Sequence, residues 1–114
     1  MAVNPKDVIK IYHAHVYFDA ATTEPARELR SMIEESFEIQ MGRFHEKPVG
    51  PHPKWSYQVA FGPELFGSLV PWLSVNRRNL TVFVHACTGD HMIDHTKYVY
   101  WLGESETLDL DALR

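Results

Sequence analysis

The chain has 114 residues, 45% of them hydrophobic, and a formal net charge of −4. That is enough to bury one ordinary core, and we read residues 1–114 as a single domain. The acidic balance excludes a basic stripe for nucleic acid, the lone Cys87 excludes an internal disulfide and thiolate-rich zinc motifs, and the longest apolar run, Leu80 to Cys87, is too short to span a bilayer. Asn4, Pro5 and Asp7 stand where a secretory leader needs apolar residues, so a soluble cytoplasmic protein is expected.

The first predicted element is a strand over Ile11–Phe18, where Ala14, Val16 and Phe18 alternate with His13, His15 and Tyr17. Thr22 or Thr23 opens a helix with Pro25 in its first turn and a stripe of Leu29, Met32, Ile33 and Phe37. A short strand over Ile39–His45 leads into Lys47–Pro53, where three prolines and a glycine forbid regular structure. Trp55–Phe61 is a third strand, with Trp55, Tyr57, Val59 and Phe61 on one face. Pro63 starts a second helix running to about Val75, and Thr81–Cys87 is the fourth strand. After the turn Thr88-Gly89-Asp90, Asp90 caps a last helix expected to reach Tyr98, and an acidic tail follows Gly103.

Strand, helix, strand, strand, helix, strand is the ferredoxin-like βαββαβ pattern: an α+β fold with a four-stranded antiparallel sheet, two helices on one face, and a C-terminal helix or tail. We expect the first and third strands to lie side by side in the centre and run parallel. On that layout His13, His15, His45, His52 and His85, five of the seven histidines, meet at one edge of the sheet. Alternation adds a second constraint. If Ala14, Val16, Phe44, Val82 and Val84 face the helices, then His13, His15, Arg43, His45, Phe83 and His85 share the helix-free face.

Taken one at a time, these histidines have ordinary explanations: a solvent-facing pair, a satisfied core residue, a loop ornament. His91 and His95 have helical spacing, but Asp94 and Lys97 suggest a solvated face. Together the strand-end histidines form a cluster that needs hydrogen-bond partners and disfavours protonation. A divalent metal satisfies both demands, and an imidazole site with carboxylates nearby suits Fe(II), Zn(II), Cu(II) or Ni(II). Glu46, Asp90 and Asp94 are the carboxylates within reach along the chain, although Asp90 and Asp94 serve equally well as helix caps.

Tyr12-His13-Ala14-His15-Val16-Tyr17-Phe18, Arg43-Phe44-His45-Glu46, Gly50-Pro51-His52-Pro53, Val84-His85, Thr88-Gly89-Asp90, Asp94-His95 and Trp101-Leu102-Gly103 together resemble the DOPA 4,5-dioxygenase family. The resemblance runs from about Ile11 to Gly103. It departs at Ala86-Cys87, where relatives often carry proline directly after the histidine. What it implies is extradiol cleavage of a catechol such as L-DOPA by O2, with Fe(II) as cofactor, or zinc or another divalent metal in its place.

On that resemblance the metal belongs among His13, His15, His52 and His85, with about three of the four coordinating. His45 and His95 are then the acid/base candidates. Arg43 could hold a substrate carboxylate, and Tyr17 and Trp55 could line the ring pocket. An open sheet face carrying Tyr17 and Phe83 would need cover, so a homodimer is expected. The competing reading is a non-catalytic dimeric module of the same fold that binds a metal or small ligand.

Overall fold

The computed structural model describes all residues, Met1–Arg114. A short helix α1 (Pro5–Val8), capped by the Asn4 side chain, precedes strand β1 (Ile11–Phe18). The Asp19 carboxylate then accepts from the Ala21 and Thr22 amides and starts a 3₁₀ turn that feeds α2 (Thr23–Ser36). β2 is Gln40–Met41 and β3 is Trp55–Phe61. A 3₁₀ turn from Pro63 leads to α3 (Phe66–Asn76), then β4 (Val82–Cys87), α4 (His91–Thr96) and β5 (Val99–Leu102). No helix is long and apolar enough to cross a membrane.

The sheet order is β2-β3-β1-β4-β5, antiparallel throughout. Helices α2 and α3 cover one face: Ala26, Leu29, Ile33, Leu69 and Leu73 pack on Ala14, Val16, Tyr57, Val59, Val82 and Val84. Each fully buried Leu, Ile or Val contributes about 1.5–3 kcal/mol. The expected α+β, ferredoxin-like arrangement is thus present, with a fifth strand at one edge. The alternation reading of β1, β3 and β4 also holds.

Three expectations are corrected. The first and third strands are neighbours but antiparallel, with Tyr12 opposite Phe61 and Phe18 opposite Trp55. The helical crossovers connect the parallel pairs β1/β2 and β3/β4, and each pair encloses a strand of opposite direction. The second strand is only two residues long. At Gly42 the backbone N–H donates to Gln58 O at 2.7 Å, and a Cβ there would stand 3.1 Å from that oxygen. The chain leaves the sheet and returns only for an isolated bridge between His45 and Ser56. The last helix stops at Thr96 rather than Tyr98, because Tyr98 O is already accepting from Ala86 N as the chain enters β5.

The antiparallel layout also undoes the edge argument. β3 starts beside Phe18, so His45 and His52 begin at the opposite end of the sheet from His13. The segment between His45 and Trp55 brings His52 back across the face. Gly50 takes a positive φ of 55°, and His52 N donates to Val49 O in the turn that follows.

The face opposite the main helices is covered within the chain. The His52 loop, α4 and the C-terminal tail all fold over it, and Asp109 N donates to Pro51 O at 2.9 Å. Tyr17 and Phe83 are therefore buried, and the exposed surface that motivated a homodimer is not there.

Candidate metal centre

Strand alternation and the fold-back of α4 build one cavity of about 430 Å³ on this face, with His13, His15, His52, His85, His91 and His95 in its lining. β1 supplies His13 and His15, and β4 supplies His85, directly opposite His13. Gly89, at φ 103°, turns the chain back so that α4 lays His95 over His85, with ring centroids 4.1 Å apart. Asp94 secures this turn. Its buried carboxylate accepts from the Thr88 amide at 2.8 Å and from the Thr88 hydroxyl at 2.6 Å. Asp90 caps α4 through the Ile93 amide.

The ring nitrogens have defined roles. His85 Nδ1 sits 2.9 Å from Ala86 O, and His95 Nδ1 sits 2.7 Å from His91 O. A carbonyl only accepts, so both Nδ1 atoms carry the proton and both Nε2 atoms present a lone pair. His15 Nε2 lies 3.0 Å from His85 Nε2. His15, His85 and His95 each offer a donor nitrogen, all within 4.8 Å of one another. A second set at the same spacing comprises His13, His85 and Cys87. Imidazoles whose far nitrogen is tied to a backbone carbonyl are oriented as metal ligands are, so the donor set fits a divalent ion.

Burial keeps this cluster neutral. It drives His15 well below its usual value, helped by His52 and His85, and brings His85 down to about 3 against the raising effect of its bond to Ala86. His52 is pushed down to about 4 by burial and then by His95. Burial also lowers His13 and His95. Neutral imidazoles are the form that binds metal. Beside them, the Tyr17 hydroxyl lies 2.8 Å from His52 Nδ1, and burial raises the Tyr17 phenol.

Of the residues singled out in the sequence, His13, His15, His52, His85 and His95 come together, and Tyr17 holds His52. His45 stays partly buried at the far end of the sheet, bound by its backbone to Ser56. Arg43 is exposed, and Trp55 packs edge-on against Phe18 on the helix side of the sheet. Neither lines the cavity.

Sequence reasoning missed the structural work of Asp94, the placement of Cys87, Gln58 and Leu113 in the cavity wall, and Trp101 stacked 4.3 Å from Phe83. Alternation from His85 would have found Cys87. A larger groove of about 560 Å³ beside Phe37, Ile39 and Met41 carries no histidine or cysteine.

The model of the Dopa 4,5-dioxygenase family matches residues 12–112. A DOPA 4,5-dioxygenase from Amanita muscaria is 34% identical over 114 residues, covering 92% of this chain and 50% of its own. An uncharacterized 21.2 kDa protein from Botryotinia fuckeliana is 37% identical over 115 residues, covering 90% of this chain and 63% of its own. The chain thus spans between half and two thirds of these curated relatives. The crystal structure of a protein described as a "putative dioxygenase" from Nostoc punctiforme superposes with a TM-score of 0.95. It is 46% identical and is matched over 99% of this chain and 97% of that one.

Proposed function

We propose that this chain, which belongs to the Dopa 4,5-dioxygenase family, is a metal-dependent extradiol dioxygenase that opens the ring of a catechol such as L-DOPA with O2. The observation that carries this reading is the pair of Nε2 lone pairs on His85 and His95, each fixed by a backbone carbonyl and converging with His15. We assign the ion to His15, His85 and His95. This moves His95 from the acid/base role expected of it to the ligand set, and moves His52 the other way. Fe(II) is the proposed ion, which when bound supplies Lewis acidity for a catecholate and an electron path to dioxygen.

The chain's own residues then do the rest. His52 is neutral at pH 7, and with its Nδ1–H donating to the Tyr17 hydroxyl oxygen its Nε2 lone pair is free to take a catechol proton and return it later. His13, in the cavity lining, is a second proton carrier, with its ring 5.2 Å from that of His85. Gln58, paired with His15 across β1 and β3, offers an amide to a substrate oxygen. Pro51 and Leu113 provide apolar walls for the ring and limit the entry of water. A homodimer would use the β5 edge, where Tyr100 and the preceding Tyr98 are exposed.

The test is anaerobic loading with Fe(II), then mixing with L-DOPA in air. A yellow ring-opened product that His15→Ala and His85→Ala abolish is the expected result. Stoichiometric iron with no product from L-DOPA or a panel of catechols would leave a metal-binding module.

A further inference from the structure

The proposed ligand set leaves Cys87 unused. Cys87 follows His85 by two residues on β4, so it points to the same face and joins the same cavity wall. It stands opposite Ile11 at the start of β1, separated by the pair of Tyr12 and Ala86 from the pair formed by His13 and His85. The thiol is partly buried and makes no disulfide. His13, His85 and Cys87 bring two nitrogens and one sulfur within 4.8 Å of one another.

We infer that His13, His85 and Cys87 form a second, alternative seat for a thiophilic divalent ion of the zinc and cadmium class. Two imidazoles and a thiolate, with a water in the fourth position, are a donor set that suits zinc, and sulfur shifts preference toward the softer ions. Binding releases the thiol proton to solvent.

The two seats compete, because both require His85. Its Nδ1 is engaged with Ala86 O, and one imidazole cannot complete both seats at once. An ion on His13, His85 and Cys87 draws His85 away from His15 and His95. That such an ion thereby inhibits the enzyme rests on the assignment of His15, His85 and His95 as the resident set; the seat itself does not.

Titration of the metal-free protein with Cd(II) tests the seat directly through the ultraviolet thiolate-to-cadmium charge-transfer band. We expect that band in the wild type, its loss in Cys87→Ser, and at least tenfold weaker cadmium binding in His13→Ala. His15→Ala and His95→Ala should keep the band. If those two variants also keep full Fe(II) affinity, the resident assignment fails while the second seat stands. Cadmium bound one-to-one without the band overturns the inference, as does a band whose affinity ignores His13→Ala. Should Cys87→Ser fail to fold, alkylation of Cys87 in the wild type gives an independent reading. Cd(II) should slow it at least tenfold, and unchanged alkylation by Cd(II)-loaded protein overturns the seat.

Discussion

Nε2 of His15 and Nε2 of His85 lie 3.0 Å apart, both buried, across adjacent antiparallel strands. Because His85 carries its proton on Nδ1, this contact in the metal-free protein is a hydrogen bond donated by His15. With the His15 proton shifted to its Nδ1, both Nε2 lone pairs would face a divalent ion placed between the two rings. Removing either ring should therefore cost affinity for a divalent ion by at least about 100-fold, more than loss of an outer partner would. Calorimetric titration of His15→Ala and His85→Ala with Fe(II) or Co(II) measures it. Affinity within a few-fold of wild type would move the centre elsewhere in the cavity.

Tyr17 is tied to His52 and to nothing in the proposed ligand set, which separates proton handling from metal binding. Tyr17→Phe removes the hydroxyl that orients the ring at 2.8 Å. Loss of one such bond costs about 1 kcal/mol of stability. Metal affinity should stay at the wild-type value while kcat falls roughly tenfold. Steady-state kinetics on the iron-loaded variant decides it, and an unaltered kcat would remove His52 from the chemistry.

The sheet and the sharing of a face were legible because alternation with period two depends only on neighbours along a strand. Ala14 and Val16 buried against His13 and His15 required no knowledge of topology. Strand direction was misread because it depends on which strands the crossovers join, and apolar spacing in β1 and β3 is the same for either direction. His52 reached the cavity by a different route from the one expected, through the Gly50 turn and the loop after it. The polar sequence around His95 concealed the fold-back of α4: Asp94 looks solvated until its carboxylate is seen closing on Thr88.

That closure yields a prediction of its own. Asp94→Asn keeps the shape but replaces a charged acceptor of two hydrogen bonds with a neutral amide. Hydrogen bonds to a buried charge are the stronger class, so a loss of about 2 kcal/mol in unfolding free energy is expected. Since the turn positions His95, metal affinity should weaken by roughly tenfold as well. Urea denaturation and metal titration of the same variant read both effects. Loss of stability with metal affinity intact would show that His95 does not depend on the Thr88–Asp94 closure.

The cluster also fixes the direction of the pH response. His52 titrates at about 4 and His85 at about 3 in the folded chain, and His13, His15 and His95 are lowered too. In the unfolded chain a histidine titrates near 6.5. Between those values the unfolded state binds more protons, so stability rises with pH. The contribution is complete above about pH 6.5 and drains away as pH falls toward 3. For His52 and His85 together, the loss by pH 5 is on the order of 4 kcal/mol, which corresponds to a fall in Tm on the order of 15 °C. A bound divalent ion opposes this, because coordinated nitrogens cannot take protons until the ion leaves. Thermal melts of metal-free and metal-loaded protein from pH 7.5 to 4.5 should diverge most near pH 5.5–6 and converge once acid releases the ion. A metal-free Tm that stays level from pH 7 to 5 would mean that these histidines are not held neutral by the fold.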